Sequence, residues 1–583
     1  MDNPFIPKRV AKKRRTLVEK YFDFVDSKRP SDRFLLYGFI IAFAISVSLI
    51  LIETNKANSV ESPTVGGELR EGIVGSPRFV NPTLAITRAD QDMAALLFDG
   101  LLEVSPDGEL VPNIAKSITL SSDATVYNVV LRDDVKFHDG TPLTADDIVF
   151  TIGLIQNPEL KSPLQGNFND VVIEKLGEYE VNFVLEEPYT PFIENLTVGI
   201  LPHHEWKDLS VDQIPFSQHN TEPVGSGPYR IKSVKRNTSG LIDGYTLEAF
   251  KDHISRPQIE LVNITFFTNE TDLVTAIKEG KVDSATGLTD SIAEIKVVRK
   301  DLVSIDAALP RTFALFFNQN KSAVLRQPEV RKILEAAIDK EELVKIALDG
   351  KGVAATGPVP VGFELTGTSP TTTNSTSSKE SLLDKLEANG WNKNSEGIWT
   401  KKIDGSETEL RVDIATANLP FLAATAEYLK SAWNEIDIPV SIRQFEQSDL
   451  TQTVIRTRDY EALLFGTSVG RSLDFYPFWH SSQRNDPGLN VALYTNITTD
   501  SVLTKARVST STEVRSEAID TFVTELNDTL PAIFLFLPTI TTLEPKNLTR
   551  EPIAKMSAPH ERFSNIEDWY IKTESLWPIF NNN

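Results

Sequence analysis

From residue 34 to residue 52 the chain is apolar without a break: FLLYGFIIAFAISVSLILI, nineteen residues with no charge. As a helix this run is about 28 Å long, enough to cross the hydrocarbon core of a bilayer. Residues 53–65 are polar and aperiodic, which predicts a flexible tether. Beyond them strand-like and helix-like patterns alternate. Residues 127–132 (YNVVLR) and 181–187 (VNFVLEE) alternate as half-buried strands do, and 259–267 and 313–318 read as buried strands. Thr144 and Asp147 have capping-box spacing ahead of the apolar helical run 148–155, which Asn157-Pro158 should stop. Residues 329–348 predict one long amphipathic helix, and 381–391 a shorter one closed by Gly390 at its C′ position. A strand at 410–416, a helix at 423–436 and a strand at 440–445 follow. The Thr/Ser-rich stretch 366–378 predicts a surface loop. The pattern is α/β throughout, with no fixed-period repeat.

Charge gives the apolar run a direction. The 583 residues carry 59 Lys and Arg against 81 Asp and Glu, a net of −22. Residues 1–33 hold ten basic and five acidic residues, a net of +5, so the remainder carries −27. Basic residues cluster before the run, so the positive-inside rule places residues 1–33 in the cytoplasm and the rest of the chain outside. Cleavage after Ser59, with Ala57 at −3, is the alternative. An uncleaved signal anchor at 34–52 accounts better for the long charged region before it. One span makes no channel by itself, and an acidic outer part disfavours nucleic acid. The chain has no cysteine, which excludes disulfides, Cys-ligated metal and a thioether lipid anchor.

Motifs for chemistry are sparse. Gly466-Thr467-Ser468-Val469-Gly470 spells a nucleophile elbow after a strand-like EALLF, but Pro477 and polar residues follow where a helix should start. A serine hydrolase using Ser468, with Asp486 and His560 as partners, is the rival of another class. His203-His204-Glu205 contains metal-ligand residue types without a zincin spacing and reads as surface. Gly225-Ser226-Gly227 lacks a third glycine and reads as a turn, and no phosphate loop or EF-hand spacing occurs. No cofactor or metal is expected.

Several segments together carry a resemblance. Residues 131–150 (LRDDVKFHDGTPLTADDIVF) are preceded by Phe98-Asp99-Gly100-Leu101 and 110–115 (LVPNIA). They are followed by 223–230 (PVGSGPYR), Phe316-Phe317-Asn318, 330–339, Gly390-Trp391, 478–482 (FWHSS) and Gly488-Leu489-Asn490. In this order, across about residues 66–575, the chain resembles the family 5 extracellular solute-binding proteins of ABC transporters, of the dipeptide and oligopeptide type. The resemblance implies a type II periplasmic-binding-protein-like fold of two α/β lobes, one enlarged by a subdomain, behind the membrane helix. The expected division is lobe I at 66–308 with the subdomain at about 105–220, lobe II at 309–490, and a return to lobe I at 491–583.

The same resemblance implies a ligand held between the lobes, largely through backbone hydrogen bonds, and handed to an ABC permease with its ATPase. Members often read Asp-Pro-Asp-Pro before Tyr-x-Phe-Trp, where this chain has Ser472-Leu473-Asp474-Phe475. Asp474 is then the candidate partner of a peptide's free amine, and Arg471 could meet a carboxylate. Phe475, Tyr476, Trp479, Trp391 and Trp399 are candidates to line the cleft, with core packing as their alternative. The expected protein is a monomeric, membrane-tethered peptide receptor. Nickel complexes, oligosaccharides or a signalling peptide remain alternative cargo on the same fold, and a structural envelope protein without ligand is a further rival.

Overall fold

The computed structural model describes residues 16–58, 60–288, 291–363 and 377–576. The basic residues Lys8–Arg15 and nearly all of the loop expected at 366–378 lie outside them. The described chain forms two compact units, one of Met1–Thr64 with Lys572–Asn583 and one of Val65–Ile571.

In the first unit the apolar run sits within one helix, Pro30–Asn58. Its stretch Pro30–Thr54 is long and apolar enough to cross a membrane and buries none of its apolar window. A short helix, Leu17–Asp26, precedes it. The expected tether is partly ordered: the long helix continues to Asn58, and Val60–Pro63 pairs antiparallel with Thr573–Leu576. A strand pairing with a distant partner leaves no periodicity in its own short sequence.

The second unit contains two mixed sheets that share one strand, Ala532–Pro545. Its first half pairs with Arg311–Phe317 and Gly352–Ala354. Its second half pairs with Ser284–Thr286 and Leu302–Ala308. The first lobe's sheet continues through Glu68–Val74, Leu261–Phe267, Ile242–Ala249 and Tyr229–Arg236. The second lobe's sheet continues through Ala462–Ser468, Val412–Ala417 and Val440–Phe445, all parallel to one another. The chain crosses between lobes at Leu309-Pro310 and again at Leu537-Pro538, where Leu309 N donates to Pro538 O at 3.4 Å. Prolines at both crossings withhold a ladder donor, and these two crossings, one of them inside the shared strand, are the straps that join the lobes.

The core of the second lobe runs from Phe313 to Leu537. The return to the first lobe therefore lies inside the shared strand, later than the expected residue 491. The helices Ile497–Val508 and Thr512–Thr529 pack Leu503, Ile519, Phe522 and Leu526 into that second core. The subdomain is a four-stranded antiparallel sheet between Ala115 and Leu185, covered by the helix Ala145–Gln156. Its own core ends at Ile200, while Leu201, Trp206 and Ile214 belong to the first lobe, so it closes earlier than residue 220.

Local expectations hold where the signal is local. Thr144 and Asp147 form the capping box, with Thr144 N donating to Asp147 Oδ2 at 2.8 Å, and the helix ends at Gln156. Residues 329–348 instead form two helices, Pro328–Ala336 and Lys340–Leu348, because Asp339 accepts from Glu342 N at 2.9 Å and caps a second start. Gly225 and Gly227 lie against the backbone of Leu97, where a Cβ on Gly227 would be 2.6 Å from the Leu97 carbonyl carbon. His138 clasps the same turn: Gly225 N donates to its Nδ1, and its Nε2 lies 3.0 Å from Gly227 O. Burial pushes this imidazole down to about 4, which suits a neutral ring with one donor and one acceptor nitrogen.

Candidate functional site at the seam between the lobes

Strand Ala462–Ser468 lies inside the second lobe's sheet, and its carboxyl end delivers the loop 469–475 to that lobe's edge. Crevices at the carboxyl ends of strands are where open α/β sheets bind ligands. The loop starts beside the strap, with Val469 N donating to Pro310 O at 3.3 Å. From there it docks onto the subdomain and the first lobe.

Arg471 reaches across. Its Nη2 lies 2.8 Å from Glu561 Oε2, and its Nη1 donates to the carbonyls of Lys555, at 2.6 Å, and Gly108. Ser472 N donates to Glu194 of the subdomain, and a Cβ on Gly470 would collide with that same carboxylate. Burial holds the Glu194 carboxyl above its ordinary range, so these donors meet a group short of solvent.

Asp474 is also committed within the protein. Its Oδ2 lies 3.2 Å from Arg507 Nη2 and accepts from Tyr189 OH at 3.2 Å, while Oδ1 accepts from Tyr476 N. Burial raises its pKa, and Arg507 only partly opposes that. The Arg507 guanidinium lies over the rings of Tyr476, at 4.4 Å, and Tyr189, at 4.7 Å. Burial, helped by the Asp474 charge, pushes the Tyr189 phenol up to about 12.

Behind the seam lies a cavity of about 360 Å³, with Glu194 and Glu561 in its wall. Asp99, Glu103, His253 and Glu567 also line it. Burial, with neighbouring carboxylates, pushes Glu103 up to about 8 and Glu567 up to about 7. Burial disfavours the charged form of His253, yet the Asp99 carboxylate 3.1 Å away carries it up to about 9. The Asp99 charge is met by the His253 imidazolium and a protonated Glu103 can donate as well as accept, so this part of the wall suits a ligand that brings hydrogen-bonding groups.

The structure brings Arg471, Asp474 and Tyr476 together at the seam. Phe475 and Trp479 are 2% exposed and belong to the second lobe's core, as do Trp391 at 0% and Trp399 at 2%. Phe475 and Trp479 support the loop from behind through Phe522, and none of the four presents a face to a ligand, because aromatic area of that size is buried wherever a core can take it. The partners Tyr189, Glu194, Arg507 and Glu561 carry no signal in the sequence, since each lies far along the chain from the loop it meets. At Ser468 no helix follows the strand; the next regular element is the single turn Tyr476–Trp479. Among the described residues no hydrogen bond joins the Ser468 hydroxyl to a histidine or a carboxylate; Asp486 pairs with Arg456. That arrangement is not a nucleophile elbow.

Residues 109–488 match the sequence model of the bacterial extracellular solute-binding proteins, family 5. The oligopeptide-binding protein AppA of Bacillus subtilis is 24% identical over 93% of this chain and 99% of its own. The solved structure of that protein in complex with a nonapeptide superposes with a TM-score of 0.65, covering 88% of this chain and 100% of the other. NikZ from Campylobacter jejuni in complex with Ni(L-His) is 25% identical, with a TM-score of 0.63 over 87% of this chain and 99% of its own. The family signature thus continues from the helix cap at Thr144 to the loop at the seam, and the chain belongs to the bacterial extracellular solute-binding proteins of family 5.

Proposed function

We propose that this chain is a membrane-tethered, extracytoplasmic receptor that captures peptides between its two lobes and delivers them to an ABC permease. The observation that carries the reading is the seam: a loop leaving the inter-lobe strap and held by charged groups of the opposite lobe. Such a loop is placed to meet a ligand and to report its arrival by closure. The likeness to an oligopeptide-binding relative along nearly the whole chain supports peptide as cargo. The unburied apolar helix and the basic residues before it support the tether. A tether raises the receptor's effective concentration at its permease.

Arg471 and Asp474 of the loop, with Tyr476 just after it, are the residues we assign to the ligand. A peptide amine at Asp474 would share the carboxylate with Arg507 or replace it there. Native mass spectrometry of the full chain, released from detergent, tests the reading. A ladder of co-purified short peptides is expected. A single non-peptide species, such as a nickel complex, would keep the fold and replace the cargo. A chain that carries nothing and binds no peptide from a mixture would remove the receptor reading. For the tether, the chain should stay in the membrane fraction after a high-salt wash; release of a shortened soluble form would mean cleavage near Ser59 instead.

A further inference from the structure

The pair His204-Glu205 gains a third member in the folded chain. Asp139, in the Asp139-Gly140 turn of the subdomain, places its Oδ2 2.7 Å from His204 Nε2. Glu205 Oε1 lies 3.8 Å from the same nitrogen, and the three ligand atoms fall within 4.8 Å of one another. Ligands around a tetrahedral zinc ion, with bonds of about 2.0–2.2 Å, stand about 3.3 Å apart, so this set needs only small side-chain shifts to hold one.

Neighbouring groups hold the three in place. Asp139 Oδ1 accepts from Thr141 N at 2.9 Å, which leaves Oδ2 facing the histidine. The His204 ring meets Phe137 edge-on at 5.8 Å. Glu205 Oε2 lies 3.5 Å from His219 Nδ1, and the His219 ring rests on Trp206 at 5.2 Å. The Asp139 and His204 side chains are 32% and 31% exposed, so an ion can reach them from solvent. The neighbouring His203 turns away and packs on Phe150 at 5.0 Å. None of these residues touches the seam.

We propose that Asp139, His204 and Glu205 bind one zinc ion, with water in the fourth position and His219 orienting Glu205. The ion would staple a turn of the subdomain to the short helix His203–Trp206, which opens the return to the first lobe. The mixed imidazole and carboxylate donors suit zinc and its first-row neighbours over calcium or magnesium.

The test uses the full chain without a histidine tag, equilibrated with zinc chloride and freed of excess metal. Zinc is counted by elemental mass spectrometry, and affinity is read by competition with a chromophoric chelator. One zinc per chain and a higher Tm with zinc are expected. His204→Ala and Asp139→Asn should each lose the ion, His219→Ala should weaken it roughly 10–100-fold, and His203→Ala should keep it. Far-UV circular dichroism confirms that each variant is folded, and either of the two ligand variants decides the outcome if the other does not fold. No zinc on the wild-type chain, or equal zinc on the wild type and a folded ligand variant, would overturn the proposal.

Discussion

His253 shows how one buried residue sets a pH limit. Its side chain and that of Asp99 are 4% and 7% exposed, and the pair raises the imidazole from 6.5 to about 9. A group with a raised folded pKa contributes stability fully present below its unfolded pKa and lost as pH rises through the folded one. Glu103 and Glu567, also raised, act in the same direction from about 4.5 upward. The chain should therefore lose stability between about pH 6.5 and 9, by up to about 3 kcal/mol for the histidine alone. Urea unfolding at the two ends of that window checks it. His253→Asn should flatten much of the slope, and an unchanged slope would show that the pair does not supply it. The sequence places Asp99 in a family motif but offers no hint of His253, which lies 154 positions away. The pairing of Asp474 with Arg507 is no more legible in the sequence.

Elements depend on nearer neighbours and were correspondingly more legible. Caps are local, so the start at Thr144 and the stop after Gln156 follow from residues within one turn. The one long helix expected at 329–348 failed on the same physics: its apolar stripe continues across Ala337–Asp339, but Asp339 competes for the backbone and starts a new helix. Asp339→Ala removes the acceptor for Glu342 N and should cost about 1 kcal/mol. The measurement is the denaturation midpoint against that of Asp339→Asn, which keeps a capping oxygen and should lose little. Equal losses would show that the charge, not the cap, matters there. The pairing of Val60–Pro63 with Thr573–Leu576 escaped notice because two four-residue strands lack a pattern long enough to read.

At the scale of the molecule, the lobes are joined by the two straps at Leu309-Pro310 and Leu537-Pro538, and the loop 469–475 adds a further set of contacts across the seam. Arg471 crosses it to Glu561, the Lys555 carbonyl and the Gly108 carbonyl, and is 9% exposed. Arg471→Ala leaves Glu561 half-buried without its cation, a change that at interfaces costs about 2–5 kcal/mol. The lobes should then open in the absence of ligand. X-ray scattering should show a larger radius of gyration for the variant, and Glu561→Gln should reproduce it. Scattering identical to the wild type in both variants would mean that the ion pair does not hold the seam.

The sequence by itself determined the α/β class, the membrane-length helix, the caps and the family, since each rests on periodicity, on charge beside an apolar run, or on residues a few positions apart. Only the tertiary structure decided where the chain returns to its first lobe, because a strand shared between two sheets reads as one strand. It alone decided which aromatics are core, because burial depends on what packs against them. It alone paired Arg471 with Glu561, Asp474 with Arg507 and Asp139 with His204, because charges find partners across space, and spacing along the chain does not encode them.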